Sequence, residues 1–156
     1  MFRIQKTLGL LGLIAALGVP FARATTGLSP AKDVSVEQLK AQLPTANVGD
    51  RPRICIQIAE KQLDSADKLY AATESEKAQV ALSDVAAFSE MARDYAIQSR
   101  KHQKQTEISV RRMAHKLGDI KHAVIREDQA AVQSVIQRLQ RVSDDLLVAM
   151  FPKGDK

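Results

Sequence analysis

The fold of this chain is decided by residues 53–117, which read RICIQIAEKQLDSADKLYAATESEKAQVALSDVAAFSEMARDYAIQSRKHQKQTEISVRRMAHKL. This stretch contains neither glycine nor proline, and it is rich in alanine, leucine, glutamine, lysine and glutamate, which are good helix formers. The composition predicts helix throughout, so the open question is where the helices turn. The spacing of apolar residues answers it, because a helix that buries one face repeats them every three or four positions.

The apolar stripe first changes phase near residues 72–75. The stripe before this point consists of Ile56, Ala59, Leu63, Ala66 and Tyr70, and the stripe after it of Ala78, Leu82, Val85, Phe88, Ala92 and Tyr95. Thr73 and Glu76 have the spacing of a capping box, in which each side chain accepts a hydrogen bond from the other residue's backbone N–H. We therefore predict a turn at 72–75.

A second change of phase falls near residues 125–128. The earlier stripe consists of Val110, Met113, Leu117, Ile120 and Val124, and the later one of Val132, Val135, Leu139, Val142, Leu146 and Met150. Asp128 is a residue type that favours the N-cap of the last helix, while Pro152 and Gly154 follow its end.

Between these turns the stripe keeps one phase, which predicts a single helix over residues 74–125, about 75 Å long. Flanking helices over 53–72 and 129–150 would each span about 30 Å. The predicted fold is all-α, with two antiparallel helical hairpins that share this long central helix. The alternative is a compact four-helix bundle in which the long helix folds near residues 99–106, where the stripe positions are polar.

The first 24 residues have the features of a signal peptide. Arg3 and Lys6 precede an apolar run from Leu8 to Phe21, and the small residues of Ala22-Arg23-Ala24 match a cleavage site. We expect cleavage near Ala24 and a periplasmic or secreted protein. Removal of this segment reduces the net charge from +5 to +2, so composition does not indicate nucleic acid as a partner.

The remaining chain divides into a loop-rich segment over residues 25–50, a helical domain over 51–151 and a tail over 152–156. A capping box of Ser35 and Gln38 predicts one short helix over about 35–43. Because a helical hairpin alone has a thin core, we expect the N-terminal segment to pack on one hairpin and the chain to form a homodimer.

Charge is distributed unevenly along the helices. Residues 100–126 hold eight basic and two acidic side chains, whereas residues 53–99 hold five basic and eight acidic ones. The basic stretch is either an ordinary solvated helix face or a binding surface for phospholipid headgroups, cell-wall polymers or acidic protein partners. The opposite charges of the two halves also allow head-to-tail attraction between molecules. The candidate anion- or partner-binding residues are Arg100, Lys101, Lys104, Arg111, Arg112, Lys116 and Lys121.

The sequence offers little for catalysis, metal or haem binding. It contains no Gly-x-Ser-x-Gly, no phosphate-binding glycine loop and no Cys-x-x-Cys-His. The spacing of the histidines does not favour a shared metal, and the methionines fit the apolar stripes as core residues rather than as haem ligands. We therefore expect no enzyme, metal or cofactor. The residues weighed here are His102, His115, His122, Met91, Met113 and Met150.

The single cysteine, Cys55, lies among isoleucines at positions 54, 56 and 58. This neighbourhood is typical of a small buried apolar side chain. The alternative is an intermolecular disulfide in an oxidising compartment.

Residues 59–95 include Ala66, Tyr70, Lys77-Ala78, Leu82 and Ala92 at helical spacing. This pattern resembles one helix-turn-helix unit of the tetratricopeptide type and covers about one repeat length. The tryptophan and first-turn glycine of that family are absent, so the likeness indicates convergence on helical-hairpin packing.

These observations favour an exported, non-enzymatic helical protein of the cell envelope that acts as an interaction or scaffold module for protein partners. A periplasmic chaperone of the holdase type is the alternative, and a metal or haem binder is a more distant one.

Overall fold

The computed structural model describes residues 34–152, and within them the chain is an all-α bundle without strands. The predicted signal peptide, residues 25–33 and residues 153–156 lie outside the described residues. The helices are α1 (Val36–Gln42), α2 (Arg51–Ala71), α3 (Ser75–Ser99), α4 (Gln103–Ala123) and α5 (Arg126–Met150).

Helix α1 begins at the capping box that the sequence predicts. The Ser35 backbone N–H donates to Gln38 Oε1 at 3.0 Å, and the Gln38 N–H donates to Ser35 Oγ at 3.2 Å. The helix then packs on α2, with Leu39 buried, and its Lys40 side chain reaches α3, where it pairs with Asp84 at 2.9 Å. The described part of the N-terminal segment, residues 34–50, thus packs on the first hairpin.

The predicted continuous helix over 74–125 is wrong. Helix α3 ends at Ser99 and α4 begins at Gln103, and Arg100 and His102 both adopt left-handed backbone conformations, with φ of 55° and 60°. The chain reverses direction within residues 99–106, which is where the alternative four-helix bundle predicted a turn. Two such residues cost roughly 1–2 kcal/mol each. Burial outweighs this cost, because the fold places α4 against the other helices and each large apolar side chain buried there contributes about 1.5–3 kcal/mol. The buried apolar residues of α4 are Val110, Met113, Leu117 and Ile120.

Both predicted turns are present, but their caps differ from the prediction. The first occupies residues 72–74, where Thr73 has φ of 60° and its hydroxyl donates to the Ala72 carbonyl instead of capping α3. The second occupies residues 124–125, and Ile125 rather than Asp128 is the N-cap of α5. Asp128 is instead buried between helices, 4% exposed, and accepts hydrogen bonds from α3.

Helices α2 and α3 form a first antiparallel hairpin, and α4 and α5 form a second. The hairpins lie side by side, with α2 next to α4 and α3 next to α5. Along each junction, a later residue of one helix pairs with a later residue of its neighbour, so the adjacent helices run parallel. These pairs are Glu60–Arg112, Asp64–Lys116, Glu90–Arg138 and Arg93–Asp145.

The two hairpins have matching helix lengths and a similar pattern of buried positions. Helices α2 and α4 each have 21 residues, and α3 and α5 each have 25. All seven buried positions of α5 lie 50 residues after a buried position of α3, and five of the seven in α4 lie 51 residues after one in α2. Residues related in this way are called counterparts below. The pattern means that each hairpin presents the same faces to its surroundings.

Candidate functional site: the groove between α4 and α5

Two of the predicted binding residues take part in holding the bundle together. Arg112 donates to Glu60 of α2 at 2.7 Å, and Lys116 Nζ lies 2.6 Å from Asp64 Oδ1 and 3.6 Å from Asp67 Oδ2. The hydrogen bond to Asp64 is the main reason why the pKa of Lys116 is raised. These two cations therefore face the first hairpin and have carboxylate partners within the chain.

The other candidates are divided between two places. Arg111 and Lys121 lie on the side of α4 towards α5, where Arg111 pairs with Glu107 and Lys121 donates to Gln133 at 2.8 Å. Arg100, Lys101 and Lys104 are exposed at the turn between α3 and α4. The seven residues thus lie on three parts of the molecule, and binding of anions to any of them remains a prediction.

The first hairpin has a neighbouring element on each of its two faces. On one face lies α1, whose Lys40 ammonium is 5.3 Å from the centre of the Phe88 ring. On the other lies the second hairpin, whose Arg138 donates to both carboxylate oxygens of Glu90 at 2.8 Å. The hydrogen bond from Arg138 is also the main cause of the lowered pKa of Glu90. Phe88 of α3 and Arg138 of α5 are counterparts. Phe88 contacts α1, which precedes the first hairpin, and Arg138 contacts the first hairpin, which precedes the second, so each hairpin uses the same position to contact the element before it.

The second hairpin is covered on one face only. Among residues 34–152 no element lies on its other face, where α4 and α5 enclose an open groove of about 580 Å³. Its floor contains Leu139, which is fully buried, and its edges include half-buried Ala114 and Leu147. The α4 wall carries Arg111, His115, Gly118 and His122, and the α5 wall carries Gln140, Ser143 and Asp144.

The groove is the counterpart of the face on which the first hairpin holds the second. Glu60, Asp64 and Asp67 of α2 correspond to Arg111, His115 and Gly118 of α4. In α3, Glu90 and Arg93, which pair with Arg138 and Asp145, correspond to Gln140 and Ser143 of α5. The three acidic residues of α2 at the occupied face thus have no acidic counterpart in α4, although Asp119 and Asp144 also line the open groove.

Glu107 fixes one end of the groove. Although it is charged, it is only 4% exposed, and it accepts a hydrogen bond from Ser143 Oγ at 2.9 Å and pairs with Arg111. A buried carboxylate requires such partners, so these contacts tie α4 to α5 and orient the Arg111 guanidinium at the groove. In the sequence, Glu107 stands out only as one of two acidic residues among the eight basic ones of residues 100–126. The spacing of four residues between Glu107 and Arg111 was a sign of their pairing in the sequence, whereas the contact with α5 was not visible there.

A second concave region, of about 420 Å³, lies beside the turns at 72–74 and 124–125. Asp128 accepts there from Ser75 Oγ at 2.6 Å and from Gln79 Nε2 at 3.0 Å. The hydroxyl of Tyr70 is buried without a partner among the described residues, and its pKa is raised by burial first and by Asp128 second. The side formed by the end of α4 and the second turn is apolar, with Ile120, Val124 and Ile125, whereas Asp67 and Thr73 also line the region.

Cys55 is fully buried, as the sequence predicts, in the core of the first hairpin. Burial raises the pKa of its thiol to about 12, and the positive charge of Arg51 opposes that shift only in part. The thiol is therefore protonated at neutral pH and shielded from a partner chain, which does not favour the intermolecular disulfide.

No group of three or more histidine, cysteine, aspartate or glutamate side chains within residues 34–152 is arranged to hold a metal ion. His115 and His122 both line the groove, and His102 is exposed at the α3–α4 turn. None of the helices in this described part is long and apolar enough to cross a lipid bilayer. No protein-family model, curated protein or solved structure matches this chain.

Proposed function

We propose that this chain is an exported, non-enzymatic interaction module of the cell envelope, and that the groove between α4 and α5 docks a helical segment of another protein. The observation that carries the proposal is the repeat of the hairpin. The groove corresponds, residue by residue, to the face on which the first hairpin holds the second.

The shape of the bundle supports a protein rather than a small-molecule ligand. Stacked helical hairpins bury their faces on one another, and the end units of such a stack need caps or partners. Helix α1 covers the outer face of the first hairpin, whereas within the described residues the second hairpin lacks such a cover. A helix laid into an apolar groove with polar edges is a common mode of protein recognition.

Site-specific photocrosslinking in the native envelope tests this proposal. A crosslinking residue at Ser143, inside the groove, is expected to yield one or two discrete products that disappear when Gly118→Leu fills the groove. The same residue at Gln137, which is exposed on the same helix outside the groove, is the control and should yield none of them.

Equal products from both positions, or none from Ser143, would contradict docking at the groove. A broad ladder of unrelated exported proteins from Ser143 would instead identify the holdase alternative. Export is tested separately by the mass of the mature chain, which should begin at Thr25 if cleavage follows Ala24.

A further inference from the structure

We infer that one end of the bundle binds the surface of a lipid bilayer that contains anionic phospholipids. This end, called the basic end below, consists of the loop over residues 44–50, residues 100–104 at the turn and the start of α4, and residues 148–152 at the end of α5. The inference goes beyond the proposed function, because the groove between α4 and α5 takes no part in it.

The topology of the bundle brings these three segments to the same end. Helix α3 ends and α4 begins there, and because α5 is antiparallel to α4, the last turn of α5 lies there too. Helix α2 is antiparallel to α3 and therefore begins at this end, directly after the loop. The loop and the turn are close neighbours, since a Cβ added at Gly49 would lie 2.7 Å from Lys101 Cδ.

The basic end carries an excess of positive charge. Its three segments hold the exposed cations Arg100, Lys101 and Lys104 and one carboxylate, Asp50. None of the three cations has an ion-pair partner among residues 34–152. The turns at the opposite end, residues 72–77 and 124–128, hold four carboxylates and two cations instead. An anionic surface would therefore attract the bundle by the basic end.

Four further carboxylates lie on the helix turns next to the basic end. Three of them pair with arginines, and the fourth lines the groove, so none is a partner of the three cations at the turn. The pairs are Arg93 with Asp94 and Asp145, and Arg111 with Glu107, and the fourth carboxylate is Asp144.

Large apolar side chains are exposed mainly at or beside the same end. Within residues 34–152 seven such side chains are exposed, and five of them lie there. Phe151, directly after α5, is 72% exposed. Exposed apolar side chains grouped among charged ones are typical of a surface that binds a protein or a membrane. The five are Val48, Ile97, Ile108, Val148 and Phe151.

This arrangement fits a bilayer better than a helix or a soluble polyanion. The five apolar side chains come from the loop, α3, α4 and the end of α5, so they do not form the single stripe that a helix would need. A bilayer offers hydrocarbon to each of them separately and phosphates to the cations between them. A soluble polyanion would use only the cations.

The backbone of the turn agrees with a role for its side chains. Arg100 and His102 are both left-handed, a conformation that glycine adopts at lower cost. Backbone strain of this kind is concentrated at functional sites, where particular side chains are needed. At Arg100 the strained position carries one of the three unpaired cations of the basic end.

Co-sedimentation with lipid vesicles tests the inference. The chain from Thr25 onward is used, so that the apolar run of residues 8–21 cannot contribute to binding. Phosphatidylcholine vesicles with about one-third phosphatidylglycerol should bind it at least about tenfold more tightly than vesicles of phosphatidylcholine alone. Binding should weaken between about 0.1 M and about 1 M salt, because the screening length falls from about 10 Å to about 3 Å.

Charge variants locate the binding surface. Lys101→Gln together with Lys104→Gln should weaken binding at least about tenfold, since each cation near an anionic surface contributes about fivefold. The control, Lys68→Gln together with Arg126→Gln, removes two exposed cations from the opposite end and should leave binding unchanged. Arg100→Gly should weaken binding about fivefold while raising the melting temperature, which separates loss of binding from loss of folding.

Apolar variants test insertion into the bilayer. Phe151→Ser should weaken binding about tenfold, whereas Val80→Ser, at an exposed position near the start of α3, should have no effect. Phe151→Trp introduces the only tryptophan of the chain. Its emission should shift to shorter wavelength on anionic vesicles, and the emission of the control Val80→Trp should not.

Other results would overturn the inference. These are equal binding to neutral and anionic vesicles, no binding to either, or an equal loss in the control variants. Binding to soluble polyphosphate as tight as to vesicles, and independent of Phe151, would make the partner a soluble polyanion.

The groove variant Gly118→Leu separates this inference from the proposed function. It should bind vesicles as tightly as the native chain, although it is expected to lose the photocrosslinks from Ser143. Loss of vesicle binding in Gly118→Leu would place the lipid-binding surface at the groove and overturn the inference.

Discussion

The two hairpins have the same helix lengths and the same pattern of buried positions, yet they differ in what covers them. The first is enclosed between α1 and the second hairpin, and its contacts include several ion pairs. The second has one covered face and one open groove. The comparison shows that two hairpins with the same helix lengths and a similar pattern of buried positions can carry different side chains on corresponding faces. Glu60 and Arg111 illustrate this, since they are counterparts with opposite charge.

The largest effect is expected from emptying the core under the groove. Leu139→Ala removes a fully buried side chain from the second hairpin and should lower the free energy of unfolding by about 2–5 kcal/mol. Urea denaturation followed by circular dichroism measures it. Val148→Ala on the same helix, at a site 69% exposed, should change stability by less than about 0.5 kcal/mol. A similar loss for both variants would show that the second hairpin does not have the core described here.

Glu107 tests what holds the two helices of the groove together. Glu107→Ala leaves Ser143 without its acceptor and removes a buried charge, and we expect a loss of about 1–3 kcal/mol of stability. The loss stays moderate because the Arg111 side chain is 60% exposed and water can solvate it once the pair is broken. Glu107→Gln, which retains an acceptor, should recover part of it in the same urea experiment. If both variants were as stable as the native chain, the contact would have no structural role.

The turn between the hairpins offers a change that should stabilise the chain. Arg100→Gly and His102→Gly place glycine where the backbone is left-handed, and each should raise stability by about 0.5–1 kcal/mol. Differential scanning calorimetry would show the higher melting temperature. Gln98→Gly, two residues earlier and inside α3, should lower stability by about 1 kcal/mol. If all three variants were less stable than the native chain, residues 100 and 102 would be helical, and the continuous helix over 74–125 would be the correct interpretation.

The smallest effect concerns the pH dependence of the junction between α3 and α5. Because the hydrogen bond from Arg138 lowers the folded-state pKa of Glu90, the pair stabilises the fold above the unfolded-state pKa of about 4.3. That contribution is lost as the pH falls through the lower, folded-state value. Glu90→Gln should therefore be less stable than the native chain at pH 7, and the difference should shrink at pH 3. The urea midpoints of both proteins at the two pH values measure this. A difference that stays constant with pH would contradict the ion pair.

Much of the fold can be predicted from the sequence, because helix formation and the phase of an apolar stripe are local. The turns near 73 and 125 follow from phase changes, and the capping box at Ser35 is present as predicted. The fold near Arg100 could not be located in this way, because no glycine or proline marks it and the stripe does not change phase there. A left-handed arginine and histidine become stable only when burial of α4 compensates for them.

The candidate site was predictable only in part. The basic stretch of α4 is evident in the sequence. Arg112 pairs with the first hairpin, whereas the neighbouring Arg111 faces the groove. This difference depends on where α2 and α5 lie, which the sequence does not show. The role of Glu107 also depends on that packing. The sequence by itself determined the helical class, the stripes and the turns that they imply, because these arise from interactions between residues a few positions apart. The tertiary structure decided the fold at 100–102, the pairing of charges and the open groove, because each depends on helices about 50 residues apart in the chain coming into contact.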